Sequence, residues 1–125
     1  MLNFPKTYIK KCQASKELQL LWKRNEGDYY LDSLQSKEIR RVVNEAVSEK
    51  AFWLPTLEQL IELVREIPRY KNESDLNLLS KMRVCISNAC CSSFLKHQSM
   101  YDFWLIMWYQ EKFKFDWYEG RNEWK

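Results

Sequence analysis

The segment SMYDFWLIMWYQEKF, residues 99–113, restricts the fold more than any other stretch of the chain. Wound as a helix, it puts Phe103, Ile106, Met107 and Phe113 on one face, Trp104 and Trp108 on a second, and Leu105 and Tyr109 on a third. A helix that is apolar around its whole circumference has no side to offer water, so other elements must surround it. Ser99 and Asp102 stand at capping-box spacing and mark its start. With 125 residues, the chain is the size of one ordinary domain and can bury a core without disulfides or metal. The expectation is a single domain over 1–125 whose other elements wrap this helix.

Those elements are legible in outline. Over residues 6–22, Tyr8, Cys12, Ser15, Leu18, Leu21 and Trp22 recur at helical spacing, and NEGD at 25–28 supplies a glycine stop. Pro55 holds Leu54 extended. Thr56 and Gln59 make a second capping-box pattern, with Leu57, Leu60, Ile61 and Val64 as an apolar face and Pro68 as a stop. Trp53, just ahead of that forced entry, is expected to pack on the helix or the sheet. DYYLDS and KEIRRVV flank a polar turn and read as a hairpin. A helix through SKEIRRVVNEAVSEK competes, because Ile39, Val42, Val43, Ala46 and Val47 also fit the 3.6 period. After a cap-like Ser74, a short helix with Leu78, Leu79, Met82 and Ile86 inward is one reading, and the VCIS stretch leaves a strand open. The sum is a compact α+β domain, with helices near 6–22, 56–66 and 99–113 on a small antiparallel sheet that includes 28–32.

The chemistry is narrower. Twenty basic and seventeen acidic residues leave a net +3, an ordinary solvated surface. Lys6, Lys10, Lys11, Lys16, Lys23 and Arg24 come nearest to a basic stripe, but Glu17 and Glu26 interrupt it, which argues against nucleic acid. The two glycines, Gly27 and Gly120, cannot build a phosphate loop. His97 is the lone histidine, and a thiolate pair with Cys90 or Cys91 would lack a third orienting group. Cys85, Cys90, Cys91 and His97 lack the paired knuckles of a zinc site. No catalytic residue, cofactor or metal is expected. The start, MLNFPKTYIKK, has no apolar signal core, and FWLIMWY falls far short of the ~20 residues that span a bilayer. The expectation is a reduced, cytoplasmic protein with no membrane association.

The tail, FDWYEGRNEWK, reads as two extended pieces about a turn at 119–122. Trp117, Tyr118 and Trp124 lie past the helix among polar residues. Large rings with a hydrogen-bonding tip, set on a polar rim, are the usual anchors of protein binding. Together with Arg121 they are the expected partner-contact residues. Base stacking would need basic residues interleaved with the rings, and Lys112, Lys114 and Arg121 fall only towards the end.

In order along the chain, YIKKCQASKELQLLWKRNEGDYYLD, FWLPTLEQL and DFWLIMWYQEKFKFDWYEGRNEW resemble a family of short, uncharacterised phage and prophage proteins of Gram-positive bacteria. The shared pieces are a YIK-x-C helix ending in tryptophan, a glycine–aspartate–aromatic strand, a WLP entry to a helix, an apolar helix and a terminal Trp–Gly–Trp hairpin. The tail departs from that pattern: Trp117 to Trp124 is W-x-x-G-x-x-x-W, against the family's shorter W-x-G-x-x-W. The resemblance implies a compact α+β domain and favours the hairpin after Gly27, but it carries no residue roles. It implies a non-enzymatic accessory protein that binds a host or phage protein, such as a host-defence component, and is compatible with a homo-oligomer. The rival readings are a small-ligand or nucleotide-binding domain, with a pocket lined by Tyr29, Tyr30 and Trp53, and a nucleic-acid-binding module.

Overall fold

The structure, a computed structural model, describes residues 4–33, 38–43, 47–74, 76–78, 80–81, 99–118 and 121–125. In chain order the elements are α1 (Lys6–Gln13), α2 (Lys16–Leu20), β1 (Tyr29–Leu31), β2 (Arg40–Arg41), β3 (Phe52–Leu54) and α3 (Leu57–Arg65). A 3-10 turn (Pro68–Tyr70) follows, then α4 (Met100–Phe113), β4 (Trp117–Tyr118) and β5 (Glu123–Trp124). Helices packed with a small antiparallel sheet make this the α+β domain that the sequence pattern implies.

The apolar helix is wrapped as its circumference requires. Trp104 to Tyr109 are all buried, with α3 packed along α4 and α1 against it. Phe103 and Phe113, expected inside, are only partly buried at the edge of the same core. The Ser99 hydroxyl accepts from the Asp102 backbone N–H, and Asp102 accepts in return from the Ser99 backbone, completing the capping box. At the other end, Lys114 adopts a left-handed conformation (φ 62°), and the Lys114 and Phe115 N–H groups donate back to the Gln110 and Tyr109 carbonyls, closing the helix.

The expected helix over 6–22 is two helices. Ser15, fully buried, leaves helical geometry, and its hydroxyl donates to the Lys11 carbonyl, taking an acceptor that a continuing helix would use. The break turns Gln19 towards the sheet. Its Nε2 donates to the Cys12 and Trp53 carbonyls, and its Oε1 accepts from the Trp53 N–H at 2.6 Å. One amide side chain thus does for the outer edge of β3 what a further strand would do.

The sheet order is β2-β1-β3, antiparallel throughout. Tyr29 and Tyr30 pair with Arg41 and Arg40 on one side, and with Leu54 and Trp53 on the other. Strand geometry at Arg40–Arg41 decides there for the hairpin over the competing helix. Gly27 (φ 94°) makes the entry: its N–H donates to the Val42 carbonyl, and the Val42 N–H returns to Asp28. The α3 capping box is formed as read, by Thr56 and Gln59. Residues 76–78 are helical with Leu78 buried, whereas Leu79, Met82 and Ile86 lie outside the described residues.

The left-handed cap gives a direct test. A side chain with a Cβ is disfavoured in that region, and glycine is not. Lys114 is exposed, so Lys114→Gly should raise the unfolding free energy by about 0.5–1 kcal/mol in urea denaturation. A loss of stability would contradict the cap geometry.

Candidate binding groove

The tail hairpin comes first, because binding was expected there. Register pairs Trp117 with Trp124 and Tyr118 with Glu123, and reciprocal backbone bonds between Asp116 and Lys125 extend the ladder. Alternation along a strand therefore sends both tryptophans to one face. That face closes over a buried ion pair. Lys11 Nζ lies 2.9 Å from Asp102 Oδ1, with side chains only 1% and 0% exposed. Asp102 Oδ2 accepts from the Thr7 hydroxyl, the Ser99 hydroxyl and the Ser99 backbone N–H. The ammonium sits 5.4 Å from the Trp117 ring centroid. The Trp124 indole N–H donates to Ser15 Oγ at 2.8 Å, and its ring stacks on Tyr109 at 4.0 Å and 8°.

The expected contact residues therefore divide. Trp117 is 7% exposed and belongs to the core, and Trp124 is half-buried against it. This corrects the reading of Trp117 as a ring on the polar rim; Trp124 keeps partial exposure. Their polar sequence neighbours occupy the opposite pleat and the turn, so local polarity did not report where the rings point. Tyr118, 47% exposed, and Arg121 do face solvent, with Arg121 Nη1 3.9 Å from Glu123 Oε1.

Reactive groups near this centre are held in neutral form. Burial pushes the Cys12 thiol far above its ordinary value; the Tyr8 hydrogen bond opposes this in part, the Asp102 charge adds a smaller rise, and Lys11 lowers it slightly. A neutral buried thiol is a packing group, not a nucleophile. Cys85, Cys90, Cys91 and His97, weighed above as a zinc or thiolate set, lie outside the described residues.

A groove opens on a different side, between the segment 21–28 and α3. Its volume is about 550 Å³, and Trp53, Leu63 and Leu21 contribute its apolar lining. Asp28 and Gln59 join its two walls. Buried Asp28 accepts from the Trp22 indole (3.0 Å), the Asn25 N–H (3.0 Å) and Gln59 Nε2 (2.8 Å). Gln59 is also the second half of the α3 capping box, so one side chain fixes both the helix start and the loop facing it. Glu58, Glu62 and Glu66 line the α3 wall, with Lys23 across from them on the 21–28 segment. Next to Leu21 in sequence, Leu20 is 86% exposed, far more than an apolar side chain of a closed core. The Trp53 indole N–H is buried with no acceptor among the described residues, as is that of Trp108.

Trp53 packs in the core as its place before the forced entry implied, but the groove itself was not foreseen. The signal available was Glu58, Glu62 and Glu66 at four-residue spacing on the helix that Trp53 introduces. Tyr29 and Tyr30, expected to share a pocket with Trp53, do not line it. Compared with known proteins, the chain matches no family model, no curated protein and no solved structure. The resemblance to phage proteins is thus carried by its motifs alone.

The ion pair and its cover yield one expectation. Asp102→Asn should lower stability by about 3–5 kcal/mol, because it strands the Lys11 charge in a dry site. Trp117→Ala should cost a comparable ~3–5 kcal/mol for a buried ring. Urea denaturation checks both, and a Trp117→Ala protein as stable as the parent would return that ring to the surface.

Proposed function

We propose that this protein acts without catalysis, by binding another protein in the groove between segment 21–28 and α3. The observation that supports this best is exposed Leu21 lining the groove with Trp53 and Leu63, next in sequence to Leu20, which is more exposed still. An open apolar groove ringed by charged side chains is the usual anatomy of a protein-docking site: an apolar centre inside a polar rim. Its openness favours a polypeptide over a nucleotide or other small ligand, which would be largely enclosed.

With the phage-like motifs, the reading becomes a phage-type accessory protein working in the cytoplasm of a bacterial cell. Its partner is then a host or phage protein, such as a component of host defence. Among the described residues no helix is long and apolar enough to cross a membrane.

Leu20→Asp and Leu21→Asp place charge at the groove edge while leaving the buried core intact. Each should keep the parent melting temperature within a degree or two and abolish co-purification of the partner from host lysate. Tyr118→Ala and Arg121→Ala, on the exposed side of the tail, should leave co-purification unchanged. The reverse pattern would move the binding site to the tail.

A further inference from the structure

Resting on the reading of the groove as a docking face, we infer that its occupant is a cationic, amphipathic segment of the partner protein. Such a segment presents Lys or Arg at one-turn spacing beside an apolar anchor. Glu58, Glu62 and Glu66 succeed one another four residues apart, about 6 Å along the helix axis at each step. All three are exposed and line the groove, and none has a hydrogen-bonding or ion-pairing side chain among the described residues. Three like charges in one row disfavour each other across each turn. A cationic partner relieves that repulsion, and an acidic one worsens it. The fourth acid, Asp28, takes no part in recognition, since Trp22, Asn25 and Gln59 already occupy its oxygens.

The floor provides the second, independent observation. Trp53 lines the groove with its ring 7% exposed, beside the more open Leu21 at 39%. Leu21 and Leu63 supply the apolar contact for that anchor. The occupant therefore needs an apolar side chain over Trp53 and positive charges along α3. Lys23, across the groove, disfavours a segment that is basic on both sides and so sets which edge faces α3.

The probe is a fluorescein-labelled helical peptide with Arg at i, i+4 and i+8 and a Leu on the adjoining column; its control has Glu in place of each Arg. Fluorescence anisotropy should show binding of the Arg peptide alone, weakened by added salt and by about tenfold or more on Glu62→Lys. In a ¹H–¹⁵N spectrum the Trp53 indole resonance, assigned through Trp53→Phe, should move as the peptide is added. Equal binding of both peptides would overturn the cationic assignment and leave the groove reading standing. Binding of the Arg peptide that survives Leu21→Asp and leaves the Trp53 resonance in place would overturn the groove reading itself. Absence of binding overturns the inference, as does a dimer, seen by light scattering, that Glu62→Lys dissociates: that result would assign the stripe to a second copy of the chain.

Discussion

The Lys11–Asp102 ion pair is the contact on which the arrangement of the chain's two ends depends. Taking both charges out of water is costly, and their attraction offsets that only where the remaining hydrogen-bonding capacity is used. Here it is used: Asp102 takes Lys11 on one oxygen and Thr7 and Ser99 on the other. Because Asp102 is also the first-turn member of the α4 capping box, the pair fixes α1 to the start of the helix that must be wrapped. A buried pair of this kind contributes less to net stability than to specifying one packing over others, since every misaligned alternative leaves a charge bare.

The tail follows from that centre. A buried ammonium needs a cover that keeps water out, and the Trp117 ring lies over it while Trp124 closes on Ser15 and Tyr109. The aromatic residues of the C-terminus are thereby committed to the interior, and the surface they leave outward is Tyr118 and the turn beyond it. Across the molecule the opposite situation holds. Asp28 and Gln59 fix the walls of a groove by hydrogen bonds, while Leu20, Leu21 and the α3 carboxylates are exposed. Walls joined by hydrogen bonds beside an exposed apolar edge suit a docking face, because little conformational freedom is then lost on binding.

Much of the architecture was legible in the sequence because it rests on local signals. Capping boxes at Ser99 and Thr56, the forced extension before Pro55 and the apolar girth of 99–113 each act within a few residues. What was not legible depends on distant partners. The break at Ser15 reflects hydrogen bonds to Lys11 and Trp124, and Gln19 is turned towards the strand carrying Trp53. Nothing in the first twenty-two residues announces either contact. The tail misled for the same reason: the charged neighbours of Trp117 and Trp124 describe the outer pleat, whereas the inner pleat answers to Lys11, ninety-one residues from Asp102 in sequence. The groove combines both kinds of information. Its acidic stripe is local, and its floor exists only once β3 and the 21–28 segment meet.

Native-state hydrogen exchange resolved by residue tests most directly whether the tail and the ion-pair centre form one cooperative unit. The amides of Asp116 and Lys125, bonded to each other's carbonyls across the hairpin, should then exchange through the same global opening as the Trp108 and Tyr109 amides of α4. Denaturant should accelerate all four with a common slope. Exchange of the two tail amides orders of magnitude faster than the helix, with no denaturant dependence, would show a loosely attached hairpin. The two tryptophans would then be available for binding after all, and the case for the groove would lose its premise.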